Sequence, residues 1–530
     1  MSTKTILLFT LLARGVPLVA ETYDARIGEK AILTPAPLAA PRINGPVVYG
    51  ARPDKQFLYR IPCQGDRPIR FEVKGLPKGL KLDATKGIIS GTSPAKNGSY
   101  AMTITAKNAR GKASRRFAIV VGDKLALTPP VGWNSWGGYM LTVSDQVMRK
   151  AADMLVEKGL TDVGFQYVSI DDCWMRMSPE NYASRRKAKI DQQAGFDFDG
   201  IIGPARDAQG NILPNRNFPD MKALTAYIHA YGLKAGLYSS PGPYTCQNFA
   251  GSQGHEPQDA AQYGRWGFDL LKYDQCSAGE VLTKLKREQP GFKTQEFWKP
   301  MADAIRSQDR DILFNLCQYG QDDPWTWAPA LGMQTWRTGG DLNHHVETYF
   351  EQALRLATEL RAYSKPGQWS DPDYLYINKI RNHTKMVAPT VEIPLNTNQR
   401  YQYATLWAVI AAPFFFSCEI DSMDRFTVGL LANADVLGIN QDEFGNVAEV
   451  VRRTDGEVVM VKKLVDGGRA VAVFNTNASK DANIKFGADL FGGPASRTVF
   501  DVWRQRAVTN LKEGDTVHLS PNGVALFIVK

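Results

Sequence analysis

The run Phe268-Asp269-Leu270-Leu271-Lys272-Tyr273-Asp274-Gln275-Cys276 ends a short apolar stretch in a lysine, an aromatic ring and a carboxylate. Two further segments also finish in acid: Tyr167-Val168-Ser169-Ile170-Asp171-Asp172-Cys173-Trp174 and Trp336-Arg337-Thr338-Gly339-Gly340-Asp341. Carboxylates with tryptophans beside them suit the hydrolysis of sugars. One acid attacks the anomeric carbon, or activates a water to do so, while a second protonates the departing oxygen. A separation of about 5–5.5 Å permits direct attack with retention, whereas a wider gap admits water and gives inversion. Acids at strand ends also cap helices and form ordinary ion pairs, so residue type alone leaves open which of these react.

Such groups converge only if several strand ends reach one rim. After Pro129-Pro130 the sequence alternates between two patterns. Ser144 is placed to cap a helix with Val147, Met148, Ala151, Ala152, Leu155 and Val156 at helical spacing, stopping at Gly159. A strand-like run to Ile170 comes next, then a helix from Asp220 to Ala230 that stops at Gly232, and then strand-like Leu233-Lys234-Ala235-Gly236-Leu237-Tyr238. Later strand candidates end at Asp274, run from Ile312 to Leu316, and run from Pro413 to Phe416. This alternation over residues 125–445 predicts a (β/α)8 TIM barrel, whose chemistry sits just past the C-terminal ends of its strands.

The rest of the 530 residues exceeds what one core serves, so flanking domains are expected. Residues 21–124 read as an N-terminal Ig-like β-sandwich. Tyr100, Met102, Ile104 and Ala106 alternate with smaller or polar residues, a turn at Asn108 to Lys112 follows, and Phe117 to Val121 forms a second strand. Residues 446–530 read as a C-terminal antiparallel β-domain, with a hairpin turn at Asp466-Gly467-Gly468 and a last strand at Val524 to Val529. At the N-terminus, Lys4 precedes the apolar run Ile6 to Ala13, and Val19-Ala20 resembles a cleavage point, so residues 1–20 read as a signal peptide. No other stretch approaches the ~18 apolar residues of a membrane span. The net charge of +9 is spread without a long basic block, which argues against nucleic acid as partner. The six cysteines lack the paired spacing of a zinc site, and export would allow disulfides.

Seven segments together resemble the α-galactosidases of glycoside hydrolase family 27. They are Pro129-Pro130-Val131-Gly132-Trp133-Asn134-Ser135-Trp136, Ile170-Asp171-Asp172-Cys173-Trp174, Gly232 to Tyr238, Leu271-Lys272-Tyr273-Asp274-Gln275-Cys276, Trp336 to Asp341, Trp369-Ser370-Asp371-Pro372-Asp373, and Ile439-Asn440-Gln441-Asp442. They occur in the family's order over residues 128–445. The segment after them resembles the family's C-terminal β-domain, and residues 41–121 resemble the Ig-like module of some bacterial members.

The resemblance implies a retaining exo-α-galactosidase with Asp274 as nucleophile and Asp341 as acid/base. Lys272 would keep Asp274 ionised by opposite charge, as a nucleophile requires. Asp171 and Asp172 would accept hydrogen bonds from O4 and O6 of galactose, Trp136 would face the ring, and Tyr238 and Asp373 would complete the wall. Arg337 would contact the sugar or Asp274, or serve a structural ion pair; Trp133 is core or site. Cys246 and Cys276 match a disulfide position, whereas Cys173 and Cys317 are expected as thiols. The implied chemistry needs neither metal nor cofactor, its partner is a galactose-containing oligo- or polysaccharide, and its compartment is periplasmic or secreted.

Two departures stand out. Where many members have Cys-Glu-Trp, this chain has Cys317-Gln318-Tyr319, with Gln318 expected to face the sugar's C2 substituent. An insertion at about 176–204 carries the basic cluster Arg185-Arg186-Lys187 and would line the aglycone side or cover the barrel. An α-N-acetylgalactosaminidase or a β-L-arabinopyranosidase would share this frame. A non-catalytic sugar-binding protein is a reading of another class, disfavoured because both catalytic acids are present.

Overall fold

The computed structural model describes residues 21–187, 196–343, 345–382, 386–487, 490, 498–509 and 511–530. The expected signal peptide and the middle of the insertion lie outside these residues. Short runs, buried throughout except at Asn315, form the central strands: β1 (Val131–Asn134), β2 (Tyr167–Ser169), β3 (Lys234–Ser239), β4 (Leu270–Asp274), β5 (Leu313–Cys317), β6 (Thr335–Arg337), β7 (Trp369–Asp371) and β8 (Phe414–Ser417). Neighbours from β1 to β7 pair in parallel, and β8 pairs with β1. Strand β7 breaks at Pro372, which has no N–H to give the ladder, and at Asp373, whose φ is +107°. It resumes as Leu375–Tyr376 against β8. One continuous segment therefore occupies both ends of the strand order, and the sheet closes into the expected barrel.

The crossing helices follow local signals. Ser144 Oγ accepts the Val147 N–H at 3.3 Å and opens Asp145–Glu157, which buries Met148, Ala151, Ala152 and Leu155. Asp220 caps Met221–Ala230 by accepting from the Ala223 N–H. The helix Thr397–Val409 has no counterpart in the sequence reading. It opens on a capping box between Asn396 and Gln399 and is buried at nearly every position. The C-terminal domain covers its outer side: Gln402 Nε2 donates to the Asn475 carbonyl, and Trp503 Nε1 to Thr405 Oγ1.

In the C-terminal domain, strands Glu457–Lys463, Arg469–Asn475 and Val524–Val529 run antiparallel. Alternation gives them two apolar faces. Val458, Met460, Ala472, Phe474 and Leu526 join the barrel's core, while Val459, Val471, Val473, Ala525 and Phe527 fill the domain's own core.

The N-terminal sandwich sets a four-stranded sheet against a three-stranded one around Phe57, Tyr59, Ile89, Met102, Ile104, Phe117 and Ile119. Met102, Ile104 and Ala106 are buried on one face of Gly98–Asn108, as their spacing predicts. The sequence reading began this domain at residue 21, and here the structure differs. Thr22–Asp24 pairs with Thr516, Val517 and His518 of the C-terminal domain, because its unpaired backbone groups find an open sheet edge there. The sandwich caps the N-terminal ends of the barrel strands, away from the rim. Arg52 ion-pairs with Asp311 at 2.7 Å and also donates to the Arg306 and Arg310 carbonyls. Arg67 and Arg42 reach Asp162 and Asp435.

Candidate active site

At the C-terminal rim of the barrel a cavity of about 240 Å3 is lined by Trp136, Asp171, Asp172, Tyr238, Cys246, Gln247, Lys272, Asp274, Tyr319, Asp341 and Tyr376. Trp136 begins a short helical turn directly after β1. Asp171 and Asp172 follow β2, Tyr238 lies on β3, and Lys272 and Asp274 share one face of β4 by their two-residue spacing. Asp341 sits four residues beyond β6. The barrel thus delivers side chains from two strands, and from the segments that follow three others, to one cup.

A buried cation organises the acids. Lys272 Nζ stands 3.0 Å from Asp171 Oδ2 and 4.0 Å from Asp274 Oδ2, and it lies over the rings of Tyr238 and Tyr374. Burial opposes its charge, but Asp171, Tyr374, Cys317 and Asp274 together outweigh that cost and hold the ammonium well above the usual lysine range. Asp274 is 5% exposed. Burial raises its carboxyl above the usual range, while Lys272 pulls it back and Asp341 adds to the rise. Tyr319 donates its hydroxyl to Asp274 Oδ1 at 2.6 Å. Asp172 is pushed up to about 7 by burial, although it accepts the Cys173 and Gln247 N–H groups at 2.7 and 3.0 Å.

Arg337, Asp373 and Gln318 are buried behind this wall rather than along it. Arg337 Nη2 donates to Asp341 Oδ1 at 3.0 Å and to the Gly340 carbonyl at 2.8 Å, and Nη1 lies 3.3 Å from Asp373 Oδ1. Asp373 in turn accepts the Leu342 N–H at 2.7 Å. Burial pushes the Asp373 carboxyl up to about 7, against the pull of Arg337. The pair anchors the loop that carries Asp341. Gln318, expected to face the sugar, is buried beside the cavity, where its amide nitrogen donates to the Gln321 carbonyl and its amide oxygen has no partner among the described residues. In the turn after β5 Tyr319 adopts φ +56°, rare for a bulky residue, and its ring lines the wall.

Cys246 and Cys276 form a disulfide at the cavity edge, with Cα atoms 4.7 Å apart. Their sulfurs and Asp274 are the one metal-like grouping among the described residues, but disulfide sulfurs are not thiolate ligands. Cys173 and Cys317 are buried thiols, with Arg337 Nη1 3.5 Å from the Cys317 sulfur. Trp133 is core: it is fully buried and donates to the Cys418 carbonyl. The insertion touches the turn beside the cavity, where Asn248 donates to the Asn181 carbonyl, and within it Tyr182 packs on Phe198. The side chains of Arg185, Arg186 and Lys187 are outside the described part.

Sequence reasoning missed Tyr319, Tyr376 and Gln247 as lining residues. Tyr319 lay in a segment already singled out. Tyr376 is placed by the break in β7 and Gln247 by the disulfide turn, and neither has a periodic signal.

A closed parallel barrel with a cup of carboxylates, one lysine and aromatic walls defines a barrel glycoside hydrolase. Comparison with known proteins gives the family. Residues 128–192 and 191–442 match the model described as alpha galactosidase A, residues 40–122 an Ig domain, and residues 454–529 the alpha galactosidase C-terminal beta sandwich domain. An α-galactosidase of Cyamopsis tetragonoloba is 33% identical over 359 residues, covering 67% of this chain and 74% of its own. A Bacteroides fragilis crystal structure, provisionally described as an α-galactosidase/melibiase, is 32% identical with a TM-score of 0.80, covering 95% of this chain and 99% of its own. A β-L-arabinopyranosidase of Geobacillus stearothermophilus shares the fold, with a TM-score of 0.62 at 21% identity over 76% of this chain and 97% of its own. The chain belongs to the α-galactosidase family of glycoside hydrolases.

Proposed function

We infer that this chain removes terminal α-D-galactosyl residues from oligo- or polysaccharides by double displacement. Asp274 attacks the anomeric carbon as Asp341 gives its proton to the leaving oxygen; water then attacks the glycosyl-enzyme as Asp341 takes a proton back. Asp171 and Asp172 accept from the sugar's O4 and O6 hydroxyls, and Trp136 and Tyr238 offer apolar faces. The observation that carries the reading is the buried Asp274 beside Lys272, sharing one cavity with Asp341. The α-galactosidase names of the relatives favour galactose over its N-acetylated or C6-lacking analogues.

Export through the segment 1–20 to the periplasm or medium goes with this reading, and the disulfide beside the cavity supports it. Among the described residues no helix is long and apolar enough to cross a membrane. The deciding measurement is proton NMR during early hydrolysis of a nitrophenyl α-galactoside. Two displacements at one carbon release the α anomer first; β-galactose first would overturn both the mechanism and the nucleophile.

A further inference from the structure

Asp274 holds its two oxygens in different surroundings. Oδ2 faces Lys272 at 4.0 Å, and Oδ1 accepts the Tyr319 hydroxyl at 2.6 Å. The same hydroxyl lies 3.7 Å from Cys246 Sγ, and the Tyr319 ring lies 5.8 Å from the Arg337 guanidinium. The backbone pays for this placement with a positive φ at a bulky residue, strain that persists only where surrounding contacts impose it. The groups facing Asp274 are Lys272 on its own strand, Tyr319 and Cys317 from the β5 segment, Asp341 after β6, Asp171 after β2 and Tyr238 on β3. Of these, Tyr319 is the neutral donor bonded to the carboxylate. A tryptophan, as in the Cys-Glu-Trp pattern from which this chain departs, has no hydroxyl to offer there.

We propose that Tyr319 is a positioning residue for the nucleophile: it pins Asp274 Oδ1 and leaves Oδ2 to attack. The inference rests on the catalytic reading above. In the first step the Oδ2–C1 bond forms and the glycosidic C1–O bond breaks, with the Asp341 proton passing to the leaving oxygen. In the second, a water oxygen bonds to C1, its proton goes to Asp341, and the C1–Oδ2 pair returns to Asp274. Tyr319 donates to Oδ1 throughout. Its hydrogen bond strengthens as the carboxylate departs with full charge, so Tyr319 assists the second step most. Burial raises the Asp274 carboxyl, and the Tyr319 hydroxyl is among the groups drawing it back.

The test uses the full chain as wild type, Tyr319→Phe and Tyr319→Leu, neither of which can donate a hydrogen bond to the carboxylate. Titration of the Asp274 carboxyl carbon by NMR, assigned with Asp274→Asn, should place its pKa about one unit higher in both variants. The acid limb of kcat/KM for a nitrophenyl α-galactoside should move up by the same amount, and the second step should slow about tenfold. An unmoved Asp274 pKa in folded Tyr319→Phe, or a rise in that variant alone, would overturn the proposal. The NMR arm needs no turnover, so it separates this failure from that of the catalytic reading, which would show as an inactive wild type.

Discussion

Asp274 and Asp341 occupy unequal sites, and their variants should fail unequally. Asp274→Asn should fold and lose nearly all turnover, since no carboxylate remains to form the glycosyl-enzyme. Asp341→Asn should lose about 10²–10⁴-fold in the first step with a poor leaving group and far less with a good one. Single-turnover rates across a series of leaving groups check this, and equal losses would remove Asp341 from the acid role. Asp172 carries a pH prediction. Its folded pKa of about 7 lies above the ordinary carboxylate value, because burial favours the neutral form. That contribution to stability is full below about pH 4 and is lost as pH rises through about 7. Asp172→Asn cannot lose it, so its stability relative to wild type should improve by up to about 4 kcal/mol between about pH 4 and 8. Urea unfolding of both proteins at each pH measures the difference; a constant offset would mean that Asp172 stays ionised.

Elements with one dry face were readable in the sequence, and those wrapped on every side were not. Asp145–Glu157 shows its apolar stripe and its serine cap because solvent meets its other face. Thr397–Val409 lies between barrel and C-terminal domain, so it has no polar face and no helical period to detect. Its start still obeys local chemistry. Asn396→Ala removes the acceptor for the Gln399 N–H and half of the capping box, and should cost about 1 kcal/mol. Thermal unfolding at neutral pH tests this, and no change in Tm would show that packing alone sets the helix start. The break in β7 is likewise invisible as a strand pattern, because Pro372 and Asp373 interrupt it where the barrel closes.

Across the whole molecule the Ig-like domain sits at the end of the barrel opposite the cup, and its contacts there include the Arg52–Asp311 and Arg67–Asp162 ion pairs and the Lys234 ammonium over the Tyr49 ring. That placement suits bracing rather than capture of substrate. Arg52→Ala should break the Asp311 ion pair and two bonds to backbone carbonyls, leave Asp311 partly buried with only the residue-52 N–H, and cost about 2 kcal/mol. Hydrolysis of a small α-galactoside should be unaffected at temperatures where the variant is folded. A loss of activity without a loss of stability would give the domain a part in the site instead. The strand Thr22–Asp24 ties the start of the described chain to the C-terminal domain, which packs on the outer side of the helix Thr397–Val409.

The sequence by itself determined the order of barrel strands, the capped amphipathic helices, the acids at strand ends and the family. Each depends on residues near one another in the chain, where period, caps and turn residues act. Tertiary structure alone decided which side chains reach the cup. Lys272 bridges Asp171 and Asp274 only because β2 and β4 curl toward one another, and Tyr319, with its positive φ after β5, lines the cup where Gln318 does not. Spacing along the chain carries no record of a barrel's curvature or of a single strained φ, and those two quantities aim the chemistry.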